Sequence, residues 1–338
     1  MTFWFRRVAL TLVAVLLLCL PVFAKKNQPL RIFFIDVEGG QSTLLVTPAG
    51  RSVLIDTGYA GSRDAGRIMT AAKAAHLKRL DYVLITHYHP DHVGGVPDLL
   101  NRIKVGIFVD HGPNEGEAGY TRAAYAAYET AIAHSHHMTL EPGQGLPLKG
   151  ITFRVLTGAG KHIAEPLPGA GEANRYCDSE VAPDDTSENS QSLGVLISYG
   201  RFQFLDLGDL TENKELDLVC PNNFIGTVDL YLSTHHGLAP DNPKALVWAV
   251  HPRVAIMNNG PHKGGSPEAW QIIHDSPGLA GFWQLHPTDG GEDRNVNEDY
   301  IANMNDADGY SIEVTAEPDG SFSVLNSRNG YSRKYGAE

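Results

Sequence analysis

Positive charge is in short supply in this chain. Its 27 Lys and Arg stand against 39 Asp and Glu, a formal net charge of −12, and no Lys/Arg cluster occurs beyond Lys25-Lys26 and the scattered Arg328, Arg333 and Lys334. Neutralising phosphates supplies most of the non-specific affinity of nucleic-acid binders, so strong or processive nucleic-acid binding is not expected and a small-molecule substrate fits better. Cysteine is sparser still, three in 338 residues, and neither Cys177 nor Cys220 has the spacing of a zinc knuckle. No Ser/Pro-rich linker and no internal repeat divides the chain, which argues for one domain where length alone would allow two.

Long apolar runs are confined to the beginning. Arg6 and Arg7, the apolar stretch Val8–Leu20, Pro21 and the small-residue site Val22-Phe23-Ala24 make residues 1–24 a signal peptide, too short for a confident span of about 20 residues, although an uncleaved anchor is the alternative. The expectation is a periplasmic or secreted protein with no membrane contact beyond that segment. Cleavage removes two positive charges, giving −12 − 2 = −14. Cys177 and Cys220 then remain in an oxidising compartment, either as a disulfide or as two separate buried thiols, since sequence does not give the Cα separation. A bridge would tie the polar insertion Gly158–Asn189 to the helix that follows Asp209.

The ten residues Thr86-His87-Tyr88-His89-Pro90-Asp91-His92-Val93-Gly94-Gly95 carry the chemistry. They place three imidazoles and a carboxylate in one turn after the apolar run Leu80–Ile85 and before the amphipathic run Val96–Ile103, which read as a strand and a helix. Imidazole nitrogen and carboxylate oxygen are the ligands that Zn²⁺ and its neighbours prefer. His87 and His89 can reach one ion, while Asp91 and His92 point elsewhere and serve a second. The competing reading is a solvated His-rich loop, for which the full string is too specific.

That string resembles the signature of the metallo-β-lactamase-fold hydrolases, and further motifs follow in order from Leu30 to Trp283. Ser52–Gly58 resembles the strand ending in an Asp, here Asp56, that supports the metal loop. Phe204–Asp209 resembles the strand ending in Gly-Asp whose carboxylate bridges both metals, and Ser233–Gly237 resembles the last motif, whose final His, here His236, binds the second metal. The closest likeness is to the hydrolase domain of competence-type DNA-uptake proteins (ComEC-like), from which Asp36-Val37-Glu38-Gly39-Gly40-Gln41-Ser42 departs by lacking a final Asp. The third His of the wider family is also missing: Asn189 stands at its position, and His162, inside the insertion, is the other candidate. With an amide oxygen in place of imidazole, the first metal would be held less tightly or be a harder ion such as manganese.

The resemblance therefore implies a four-layer αββα sandwich of the α+β class, covering residues 30–290. It also implies two divalent metals, zinc or manganese, held by His87, His89, Asp91, His92, Asn189, Asp209 and His236. A metal-bridged hydroxide oriented by Asp91 would attack a small ester, lactone or phosphodiester. Lactamases of the fold generally carry Cys or Ser where Asp209 stands, which disfavours penicillin degradation. The alternatives are a competence-type nuclease or phosphodiesterase, and a non-catalytic metal-binding module. His235, beside a ligand, and His262, after a strand-like run, are assigned as catalytic, with His286 and His111 in the same class as His262. For each of these a surface or supporting role competes, and His134, His136 and His137 read as a solvated helix end.

Elsewhere Arg31–Val37, Gln41–Thr47, Ser52–Asp56 and Lys104–Asp110 read as strands, and Asp64–Leu77 and Thr121–His134 as helices. Residues 291–338 form a C-terminal extension in which Gly309–Glu317 and Ser321–Asn326 read as a β-hairpin added to a sheet edge.

Overall fold

Leu30, Ile32 and Phe34 on the first strand enter one apolar cluster while Phe33 between them enters another, the two-residue alternation of a strand covered on both faces. The computed structural model describes residues 28–114, 119–177, 183–288 and 291–337, so residues 1–24, expected to be a signal peptide, lie outside the described residues. The chain lays down β1 (Leu30–Phe34), β2 (Thr43–Val46), β3 (Ser52–Ile55), β4 (Arg79–Leu84), β5 (Lys104–Asp110) and β6 (His136–Thr139). Next come β7 (Thr152–Gly158), β8 (Lys161–His162), β9 (Gly194–Tyr199), β10 (Phe202–Asp206), β11 (Leu230–Leu232), β12 (Val254–Met257) and β13 (Gly281–Gln284), and last β14 (Ile312–Ala316), β15 (Phe322–Asn326) and β16 (Ser332–Tyr335). One sheet has nine strands in the order β16-β15-β14-β1-β2-β3-β4-β5-β6, the other seven in the order β13-β12-β11-β10-β9-β7-β8.

Three apolar clusters define four layers. The central one lies between the sheets, where Phe34 meets Phe204 edge to face at 5.5 Å. On the outer face of the nine-stranded sheet, Ile68 and Ala72 of α1 (Ser62–Ala74) join Val93 of α2 (Pro90–Val93), Leu99 of α3 (Val96–Leu100) and Tyr128 of α4 (Tyr120–Ile132). The outer face of the other sheet is covered by Leu218 of α5 (Glu212–Val219), Val247 of α6 (Lys244–Val250) and Ile273 of α7 (Pro267–His274). The result is an αββα sandwich, and each fully buried Leu, Ile or Phe contributes roughly 1.5–3 kcal/mol to it. Among the described residues no helix is long and apolar enough to cross a membrane.

Several expected elements differ in extent. The C-terminal hairpin pairs antiparallel with β1 through β14, extending the first sheet, but it carries a third strand, β16, whose Ser-Arg-Lys-Tyr sequence has no apolar alternation to announce it. The run Val96–Ile103 is helical only to Leu100. The helix expected to continue to His134 stops at Ile132, and His136 and His137 are the edge strand β6, paired parallel with β5. An exposed edge strand needs no buried face, so periodicity gives no sign of it. Cys177 and Cys220 form a disulfide with Cα atoms 5.9 Å apart, joining the insertion to the end of α5.

His137 in β6 has a partner of its own. Its Nε2 lies 2.7 Å from Asp110 Oδ2, which also accepts from Tyr128 Oη at 2.8 Å. The hydrogen bond to Asp110 holds the imidazole pKa above its ordinary value despite partial burial. A raised imidazole contributes stability that is fully present below the unfolded value of about 6.5 and is lost as pH rises through the folded one. His137→Gln is therefore expected to destabilise by about 0.5–1 kcal/mol at pH 5.5, the range left after solvent screening of a part-exposed pair, and by much less at pH 9. Urea unfolding at both pH values measures this, and a pH-independent difference would refute it.

Candidate metal centre

In the nine-stranded sheet β3 to β6 run parallel, and in the other β10 to β13 do. Carboxyl ends of parallel strands are where α/β sheets bind ligands, and here both sheets direct theirs to one place. Asp56 follows β3, the His87–His92 loop follows β4, Asp209 follows β10, His235 and His236 follow β11, and Lys263 lies in the loop after β12.

The loop after β4 is fixed from several sides. Tyr88 turns away from its neighbours into the core, where its ring packs on Tyr125, Tyr128 and His111 and its hydroxyl donates to the Gly112 carbonyl. His87 and His89 thereby fall together on the other side, their rings 4.7 Å apart. Pro90 opens α2, where a missing N–H is harmless, and this short turn presents Asp91 and His92. A Cβ on Gly95 would collide with the carbonyl oxygen of Thr57, so only glycine lets the metal loop close against the loop after β3. Asp56 then ties the two together: its Oδ1 accepts from Thr86 N at 2.8 Å, and its Oδ2 accepts from Thr86 Oγ1 and lies beside His92 Nδ1, each at 2.7 Å. That orientation leaves His92 Nε2 facing the centre.

Four buried residues converge there, Asp91, His92, Asp209 and His236, with donor atoms within 4.8 Å of one another. Asp209 Oδ2 is the hub, 3.1 Å from His92 Nε2, 3.3 Å from His236 Nε2, 3.6 Å from His235 Nε2 and 3.9 Å from His87 Nε2. Asp91 Oδ2 lies 3.4 Å from His92 Nε2 and 3.3 Å from His236 Nε2, and pairs with Lys263 Nζ. Asn189 approaches His235, Nδ2 to Nε2 at 3.4 Å.

The chemistry of this set fits divalent cations. Burial lowers His87 far below its ordinary pKa, with His92 adding to the effect, and lowers His89 likewise, so both offer the neutral form that ligates. Burial alone would raise Asp209, but His236, His92 and His235 outweigh it and hold the carboxyl well below the usual range. Burial opposes ionisation of Asp91 too, and His92, His236 and Lys263 overcome it. Among the described residues His87 Nε2, Asn189 Oδ1, Asp209 Oδ1 and His236 Nδ1 are buried without a hydrogen-bond partner, a concentration of unmet polar atoms that a folded protein tolerates only where something binds.

Other expected residues fall elsewhere. His262 does not enter the cluster: its side chain is 77% exposed, 3.9 Å from Asp306, and the next residue, Lys263, reaches Asp91 instead. His286 is buried 2.9 Å from Asp36 Oδ1, whose Oδ2 pairs with Arg67 at 3.0 Å. His111 sits 2.9 Å from Glu188 Oε1, the atom that also accepts from the backbone of Tyr88. His162 turns its Nδ1 to its own chain at Ile163 and its ring to Phe224. In the altered first loop, Gln41, where the missing Asp would stand, donates to both oxygens of Asp206, and Ser42 donates to the Asp56 carbonyl. Lys263, Asp241 and Glu188 were not legible as site residues in the sequence; only the Lys263-Gly264-Gly265 turn after a strand offered a signal.

Residues 36–171 match the Metallo-beta-lactamase superfamily. A hydroxyacylglutathione hydrolase of Xylella fastidiosa (strain M12) is 31% identical over 137 residues, which are 39% of this chain and 42% of that protein. ComE operon protein 3 of Bacillus subtilis (strain 168) is 26% identical over 243 residues, 67% of this chain and 28% of that one. The chain thus spans less than half the length of either relative. Among solved structures, the metallo-beta-lactamase fold protein YhfI from Bacillus subtilis superposes with a TM-score of 0.45 at 14% identity, covering 76% of this chain and 96% of YhfI.

Proposed function

We propose that this chain is an exported two-metal hydrolase acting on a small ester, lactone or short phosphodiester. The observation that carries the reading is the position of Asp209 Oδ2, one carboxylate oxygen within 3.9 Å of the imidazoles of His87, His92 and His236. Divalent cations bound there would supply Lewis-acid chemistry, acidifying water and polarising a carbonyl or phosphoryl oxygen. Zinc suits the imidazole-rich donors, and manganese becomes competitive if the Asn189 oxygen takes part.

The chain's own groups have distinct tasks around that chemistry. Asp56 fixes the ring of His92, and Asp91 accepts a proton from the attacking water while holding it in line. Lys263, partly exposed and already paired with Asp91, gives an anionic substrate group a counter-charge. The likeness to a hydroxyacylglutathione hydrolase supports an acyl substrate, and the acidic surface disfavours a long polyanion except where cations reverse the local field. A second reading, a competence-type nuclease or phosphodiesterase, is favoured by the extent of the match to ComE operon protein 3.

Elemental analysis of protein purified gently in metal-supplemented buffer is expected to give close to two divalent ions per chain, and a value near zero would sink the proposal. Initial rates on a small aryl ester, a lactone, bis-p-nitrophenyl phosphate and plasmid DNA then separate the readings. DNA degradation that outpaces the small substrates at physiological salt would establish the nuclease.

A further inference from the structure

The first metal group has two imidazoles from the β4 loop and, between β7 and β9, an amide where a third would stand. The fold supplies the third from another direction. His235 sits in left-handed backbone, φ 49 and ψ 46, as does His236, φ 56 and ψ 19. Such a conformation costs a non-glycine residue of order 1–3 kcal/mol and persists where the surroundings impose it, often at functional sites. Its effect is to bring both consecutive imidazoles to Asp209. His236 faces Asp91 and His92, while His235 faces Asn189, with Nε2 3.4 Å from its amide nitrogen and 3.6 Å from Asp209 Oδ2.

The other ring nitrogen is spoken for. His235 Nδ1 lies 2.6 Å from Asp241 Oδ2, and Asp241 is itself held by the backbone N–H of Glu212, 2.8 Å from its Oδ1, at the start of α5. With Nδ1–H given to Asp241, Nε2 presents its lone pair toward Asn189 and the buried Asp209 carboxylate, where a cation between Nε2 and that oxygen would satisfy both. The unpartnered His87 Nε2, Asn189 Oδ1 and Asp209 Oδ1 belong to the same group of atoms. Asp241 stands to His235 as Asp56 stands to His92, a carboxylate fixing the tautomer and direction of an imidazole.

We propose that His235 is the third imidazole of the first metal group, oriented for that role by Asp241. The proposal rests on the two-metal reading and reassigns a residue otherwise suited to donate a proton to a leaving group. Metal content and chelator competition test it, with Zn²⁺ as the probe. Wild type should hold two ions. His235→Ala should hold one, the other weakened at least 10-fold, and Asp241→Asn should weaken the same ion by about 10–100-fold, the usual effect of losing a carboxylate behind a ligating His. His162→Ala should match wild type. If the alanine variant fails to fold, His235→Asn carries the test, because Asn tolerates left-handed backbone and its shorter side chain stops short of the centre. Two ions bound by the His235 variants with wild-type affinity, alongside a drop in turnover, would overturn the proposal in favour of a proton donor. Fewer than two ions in the wild type would overturn the two-metal reading itself, so the two failures are told apart by which protein shows them.

Discussion

Asp209→Ala is expected to leave the purified protein with almost no bound divalent ion, while His162→Ala binds as the wild type does. The asymmetry comes from geometry. Asp209 Oδ2 lies within 3.9 Å of four imidazoles drawn from both sheets, so one substitution removes an anion from both proposed metal groups at once. Without it, the remaining donors on the first side are neutral, and ligands without a carboxylate bind a divalent cation far less strongly than the same set with a bridging anion. His162 lies on β8 with its Nδ1 turned to its own backbone. Two readouts check the expectation. Elemental analysis gives the ion count, and thermal unfolding with and without metal gives the linkage, because an ion at 100 times its Kd stabilises the folded state by about 2.7 kcal/mol. Wild type and His162→Ala should show the metal-dependent rise in melting temperature, and Asp209→Ala should not. Equal metal loss in the two variants would place His162 in the first group and make Asn189 a bystander.

What the sequence made legible follows from how the information is stored along it. His87, His89, Asp91 and His92 are adjacent, so their convergence needs one turn and no tertiary contact. Asp56 and Asp209 end apolar strands and His236 follows one, and each can be found by its local frame. The strands of the central layers are equally local, since burial on one or two faces leaves a two-residue or continuous apolar pattern. The partners of these residues are not local. Lys263 meets Asp91 across 172 positions and Glu188 reaches the Tyr88 backbone across 100, and nothing in a loop's composition says which of two neighbours turns inward. His262 and Lys263 differ by one position and point to different places, one to solvent and one to the centre. Asp241 is only six residues from His235, yet the link depends on left-handed backbone at two consecutive histidines that no propensity rule would assign. Edge strands β6 and β16 escaped for a different reason: with little to bury, they leave no periodic trace.

Asp91→Asn is expected to fold like the wild type and to lose turnover by about 10²–10⁴-fold, the range for a positioned group that moves a proton in the reaction. The substitution keeps shape and removes charge. Asp91 Oδ2 faces His92 Nε2 at 3.4 Å, His236 Nε2 at 3.3 Å and the Lys263 ammonium. An amide there can neither accept a proton nor balance that ammonium, and if its NH₂ group faces Lys263 the contact becomes donor against donor. Because its neighbours hold the Asp91 carboxyl well below the ordinary range, it is ionised throughout any working pH and the loss should be the same at pH 6 and pH 9. Lys263→Met separates substrate capture from the proton step: it should raise KM for bis-p-nitrophenyl phosphate with a smaller change in kcat, whereas Asp91→Asn should act on kcat. Both variants are to be compared at matched metal content, so that a lost ion is not read as a lost base. A rate for Asp91→Asn within a few-fold of wild type would remove Asp91 from the chemistry. Strong Asp91-dependent hydrolysis of a chromogenic cephalosporin would keep it there and show instead that the substrate class proposed from Asp209 is wrong.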